Sequence, residues 1–138
     1  MKKLFGAGFL LAAMMAIPSW AHHSFAAEFD VTKPVKLEGT VTKMEWINPH
    51  AWIHMDVKNA DGTVTSWMIE GGSPNALLRR GFTKYSLQPG AKIVVEGYQA
   101  KDGANRCNGR DLTFADGKKL FIGTDASEGG ANPQSQEK

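Results

Sequence analysis

Short runs of period-two hydrophobicity, each cut by turn residues, are what most limits the folds open to this chain. Val35, Leu37, Gly39 and Val41 alternate with Lys36, Glu38, Thr40 and Thr42, the signature of a half-buried strand. Gly39 inside that run predicts a bulge or a sharp bend. After Asn48-Pro49 a second alternation places Ala51, Ile53, Met55 and Val57 inward and His50, Trp52, His54 and Asp56 outward. Asn59-Ala60-Asp61-Gly62 is a hairpin turn, and Thr63 to Glu70 is a third strand. Two facings of that strand compete, and we place Trp67 with Ile69 on the core side.

The rhythm then changes. Gly71-Gly72 frees the backbone, Ser73 can cap a helix, and Pro74 suits its first position. Asn75 to Arg80 makes about two turns with Ala76, Leu77 and Leu78 to bury, and Gly81 stops it. Leu87-Gln88-Pro89-Gly90 turns the chain into a strand over Lys92 to Tyr98. Final strands near Asp111 to Ala115 and Lys118 to Ile122 flank Asp116-Gly117. The order is three strands, a short helix, then two or three strands. It predicts a mainly β domain, a small five-stranded OB-like barrel with one short helix between strands 3 and 4. A plain antiparallel sandwich is the competitor.

Both ends differ from this middle. Lys2 and Lys3 precede an apolar run from Leu4 to Ile17, too short to span a bilayer, which needs about 20 residues. Ser19 and Ala21 suit signal-peptidase cleavage after Ala21, so residues 1–21 read as a signal peptide and the mature chain as periplasmic. Residues 22–34 are then an N-terminal arm, 35–123 the OB-like domain, and 124–138 a disordered tail without periodicity. Lys2 and Lys3 also account for the excess of 16 basic over 14 acidic residues. A charge-balanced mature chain has no net field to draw nucleic acid or anionic lipid. The cluster Lys101, Arg106, Arg110, Lys118 and Lys119 reads as a solvated strand face. Cys107 is the single cysteine, so no internal disulfide can form. No later run is apolar enough to insert in a membrane, and a monomer is expected.

Four pieces together carry a resemblance: His22-His23-Ser24-Phe25, Trp46-Ile47-Asn48-Pro49-His50, Glu70-Gly71-Gly72-Ser73-Pro74-Asn75 and Leu87-Gln88-Pro89-Gly90. The chain from about His22 to Gly123 resembles a family of short exported bacterial proteins of unknown function. The resemblance implies a periplasmic location and a small β domain, and it implies no reaction.

Two places could carry chemistry. Cleavage after Ala21 leaves His22 with a free amine beside its imidazole, a pair that suits copper(II). His23, His50 or His54 would complete the nitrogen set. His50 and His54 cannot chelate one ion alone, because four residues of strand separate them by about 13 Å. Cleavage after Ala26 would remove His22 and His23 altogether. The other place is the outer face of the second and third strands, where Trp52, His54 and Glu70, with Trp46 nearby, could bind a small ligand or an envelope protein. The competing reading covers Trp52 with Phe25 and Phe29 from the arm. The sequence lacks a phosphate loop, a Gly-x-Ser-x-Gly elbow and zinc-site spacing. The expectation is therefore a non-enzymatic periplasmic binding or accessory domain. The alternatives are a copper-binding accessory protein using His22, or a structural envelope or stress protein acting by contact.

Overall fold

The computed structural model describes residues 25–124. The expected signal peptide, His22, His23 and the tail beyond Thr124 lie outside the described residues. The chain is mainly β. A one-turn helix α1 (Phe25–Glu28) leads into β1 (Phe29–Glu45), followed by β2 (Trp52–Lys58) and β3 (Val64–Glu70). Helix α2 (Pro74–Arg79) separates these from β4 (Lys92–Ala100), β5 (Arg106–Phe114) and β6 (Lys119–Phe121). The described residues thus hold six strands, the larger of the two counts the sequence order allows and one more than a five-stranded barrel, and a second short helix; the single helix between β3 and β4 is where the sequence puts it.

Strand β1 organises the rest by serving two partners. Its first part pairs with β4, from Pro34↔Tyr98 to Thr40↔Lys92, and its second with β2, from Thr40↔Asp56 to Glu45↔Trp52. Thr40 belongs to both ladders. Beside it, a Cβ on Gly39 would lie 2.2 Å from the Asp56 carbonyl oxygen, so only glycine permits the approach. The expected bulge is displaced: the register shifts between Val41 and Lys43, and Gly39 serves close contact. The strand also starts well before Val35, because Phe29 pairs with Ala100 and is buried.

Antiparallel pairing links β2 to β3, β4 to β5 and β5 to β6, and β3 pairs with β5 in parallel. Strand β5 is therefore bonded to β4 on one side and, over Arg106 to Asn108, to β3 on the other. It begins earlier than the hydrophobic pattern predicts. The stretch Arg106-Cys107-Asn108-Gly109-Arg110 is polar and does not alternate, yet Cys107, Asn108 and Gly109 are buried.

The inward residues of each strand form the core with helix α2 and its following loop. Val41, Met55, Ile69, Leu77, Phe82, Val95, Leu112 and Ile122 are almost wholly inaccessible. Ile69 is buried and Trp67 packs partly against the core, as the chosen facing of β3 requires. In α2 the Ser73 hydroxyl accepts from the Ala76 N–H at 3.2 Å and Pro74 occupies the first turn. Leu77 is buried but Leu78 is 50% exposed, against expectation, because a six-residue helix turns only one narrow stripe inward.

Gly97 tests how tightly the strands are pressed. A Cβ there would meet the Asn108 carbonyl oxygen at 2.0 Å and Cys107 Sγ at 2.7 Å. Gly97→Ala and Gly39→Ala should each cost about 2 kcal/mol or more, read as a fall in the urea midpoint. Gly117→Ala, where φ is +87° and nothing lies within 4 Å, should cost only about 1 kcal/mol. Equal losses at all three positions would contradict the close-approach account.

Candidate ligand-binding face

Register places four side chains in one row across four strands. Trp52 on β2 is opposite Glu70 on β3, Glu70 is opposite Asn108 on β5, and Asn108 is opposite Tyr98 on β4. Ile53, Ile69 and Cys107, the neighbours of the first three along their strands, point into the core. Alternation therefore turns Trp52, Glu70 and Asn108 to the opposite face. Glu70 and Asn108 are nevertheless only 5% and 3% exposed, the buried polar side chains among the described residues. Trp52 and Tyr98 at the two ends are half-buried. The row therefore runs round the outside of the closed ring of strands, two buried polar side chains between two half-buried rings.

Polar contacts hold the row both in its interior and at its Tyr98 end. His50 Nδ1 lies 2.7 Å from Glu70 Oε1, with both side chains largely out of solvent. His50 is positioned from the turn before β2, where the Ala51 N–H donates to the Gly72 carbonyl and the Gly71 N–H to the Ala51 carbonyl. Neither Gly71 nor Gly72 has a positive φ. Their smallness is used for packing instead: the Gly72 N–H donates to the Ile122 carbonyl at 2.7 Å, and a Cβ on Gly72 would meet the Gly123 oxygen at 2.9 Å. Close approach, rather than the turn freedom expected from Gly-Gly, explains the pair. At the Tyr98 end Arg110 donates to the tyrosine hydroxyl at 3.0 Å.

The arm reaches this face at a different point from the one expected. Phe25 stacks on Phe29 with centroids 5.8 Å apart and meets Tyr98 edge-on, also at 5.8 Å. The Arg106 guanidinium lies 5.7 Å from the Phe29 ring centroid. Phe25 and Phe29 thus lie at the Tyr98 end, not over Trp52, because the Phe29–Ala100 pairing draws the arm to the β4 side of β1. Arg106 and Arg110, expected on a solvated face, instead lie half-buried against rings.

The remaining expected residues are spread out. His54 Nε2 lies 2.9 Å from Glu45 Oε2, on the β1 side of the row. Hydrogen bonds from Lys43, then from His54, hold the Glu45 carboxyl below the usual glutamate range. Trp46 turns to the core, its ring 6.3 Å from that of Phe82. His22 and His23 lie outside the described residues. Among the described residues no group of three or more His, Cys, Asp or Glu is placed to hold a metal ion. The structure thus joins His50, named for a metal, to Glu70, named for a ligand, and sets both beside Trp52. Sequence reasoning missed Asn108, Tyr98 and Arg110. A concavity of about 690 Å³, lined by Thr40, Asp56, Lys58 and Lys92 among others, lies elsewhere and contains none of the expected site residues.

The fold defines the class, a small mainly β domain, and the comparisons add the family. Residues 10–109 match the model of a family of unknown function, DUF6152, and the chain belongs to it. No curated protein and no solved structure matches the chain.

Cys107 sits directly behind the row and is wholly buried. Burial pushes its thiol up to about 12, and the Glu70 charge adds to that rise. The folded protein should therefore resist a thiol reagent such as dithionitrobenzoate at mildly alkaline pH and run as a monomer on a non-reducing gel. The urea-unfolded chain should react at once. Fast labelling of the native chain would show that β5 opens.

Proposed function

We propose that this chain is an exported, non-enzymatic binding domain, an OB-like barrel that takes its ligand on the outer face of β2 and β3. The barrel reading is supported by the position of α2 between β3 and β4 and by β5 pairing with both β4 and β3. One observation carries the binding reading: the desolvated Glu70 with His50 upon it, set between Trp52 and Asn108. A few buried polar groups beside a half-buried indole are the kind of chemistry a small-ligand site uses. The periplasmic location is supported by the leader from Met1 to Ala21. A thermal-shift screen of sugars, peptides, nucleotides and aromatic acids should yield a stabilising compound whose effect disappears in Trp52→Ala. A compound that stabilises Trp52→Ala as well as the parent chain would move binding off this face. Intact mass of the chain secreted by a bacterial host should begin at His22; a retained leader would overturn export.

The second reading is copper binding, and the His50–Glu70 contact favours it. A carboxylate on one imidazole nitrogen is the usual support of a metal-ligating histidine. His50 would join the His22 amine and imidazole or His23. Copper(II) added to processed protein should then give a nitrogen-rich paramagnetic resonance spectrum, lost when one residue precedes His22. An unchanged spectrum in that variant, or in His50→Ala, would dismiss this reading.

A further inference from the structure

We infer that His54 and Met68 form a site for a soft monovalent metal ion, copper(I) or its surrogate silver(I), on the outer face of β2 and β3. The inference rests on reading that face as the binding face and names its ligand. It uses neither His22 nor His50.

Register comes first. His54 is directly opposite Met68 in the ladder between β2 and β3. Their neighbours Ile53, Met55 and Ile69 are buried in the core, so alternation turns both side chains outward. Side chains opposed in this way have Cβ atoms about 5 Å apart, a gap that an imidazole and a thioether close around one ion. The two strands are adjacent, so the curvature of the ring does not part them. Both groups are reachable: Met68 is 38% exposed and the His54 side chain 25%.

The histidine is already oriented. Glu45 Oε2 lies 2.9 Å from His54 Nε2, and hydrogen bonds keep that carboxyl ionised and therefore an acceptor only. Nε2 then carries the proton, and Nδ1 is the nitrogen with a lone pair to give. Carboxylates behind a ring nitrogen fix the tautomer of ligating histidines in this manner. Trp52, half-buried on the same face, is two residues before His54 and diagonal to Met68. Diagonal neighbours lie about 7–8 Å apart, within reach of an indole, whose ring face attracts a cation.

Donor type and charge select the ion. A thioether is soft and polarisable and favours copper(I) over divalent ions that prefer carboxylates or several imidazoles. Among the described residues no group of three or more His, Cys, Asp or Glu answers that preference. Lys43 is opposite His54 on β1, and Arg106 is opposite Met68 on β5. One positive charge is repelled by them less than two. Lys43 is moreover drawn to Glu45 at 2.7 Å, and Arg106 lies over the Phe29 ring. Cys107, whose thiolate would compete for such an ion, is buried.

The test is anaerobic titration of the processed chain with copper(I) against the chromophore bicinchoninate, and calorimetry with silver(I) nitrate in chloride-free buffer. A single equivalent of each ion should bind and quench tryptophan fluorescence. His54→Gln keeps a donor for Glu45 and Met68→Leu keeps the volume; each should weaken binding about tenfold or more. Glu45→Ala should cost about tenfold, with part of the affinity restored in Glu45→Gln. Met44→Leu, Cys107→Ala and one residue added before His22 should change nothing. Copper X-ray absorption of the Cys107→Ala chain should show nitrogen and sulfur neighbours, the sulfur lost when Met68→Leu is added. Melting curves confirm that each variant is folded. Uptake that survives both His54→Gln and Met68→Leu, or vanishes in Cys107→Ala or in the extended chain, would overturn the inference. So would uptake of neither ion. If another compound class then stabilises the parent chain but not Trp52→Ala, the binding face stands and only the metal falls. If none does, both fall together.

Discussion

The parallel ladder between β3 and β5 is the contact on which the rest of the molecule depends. It joins Met68 to Arg106, Ile69 to Cys107 and Glu70 to Asn108. Without it the last residues of β3 would form an open edge with unpaired N–H and C=O groups, a template for unwanted pairing. With it, β3 is bonded on both sides exactly where its outer side chain is a glutamate. One ladder therefore both buries Ile69 against Cys107 and brings a carboxylate beside a carboxamide.

That ladder forms only because the chain is thin around it. A Cβ on Gly109 would lie 2.7 Å from Ile69 Cγ2 and 2.9 Å from Ile122 Cδ1. Gly97 allows β4 to press against the Asn108 carbonyl, and Gly72 and Gly123 pass each other at the end of β3. None of these four adopts a positive φ; the glycines that do are at turns such as Gly62 and Gly117. Glycine thus has two separate uses here. The turn glycines set chain reversals, and the others set the distance between strands.

This division explains what could be read in advance. Strands β1, β2 and β4 alternate apolar and polar residues, and the alternation is imposed by a core on one side only. Ser73-Pro74 announces α2 through local chemistry that needs no tertiary partner. By contrast, the first half of β5 is Arg106-Cys107-Asn108-Gly109-Arg110, where small and polar residues are buried through non-local pairing. Hydropathy has no period there, so Asn108 is not legible, and Arg106 and Arg110 read only as a solvated basic face. Trp52 and Glu70 were legible as members of one outer face, but their alignment with Tyr98 depends on a ladder between segments far apart in sequence. The arm is legible in kind and not in place: the sequence offers Phe25 and Phe29 as a cover for Trp52, whereas Phe25 meets Tyr98 and Phe29 stacks on Phe25.

Glu70 finally asks why the chain keeps a carboxylate in so dry a position. Desolvating a charge costs several kcal/mol, and a partner such as His50 recovers that cost only when the geometry is good. A pair of this kind adds little net stability compared with apolar side chains of the same size. Leu or Met at position 70, beside Trp52, would satisfy packing without any need for His50. The fold therefore does not require the pair, and the turn that carries His50 is itself fastened by two backbone hydrogen bonds that do not involve it. A costly group that the scaffold could do without, held by an imidazole beside an amide, is what the proposed binding role would account for.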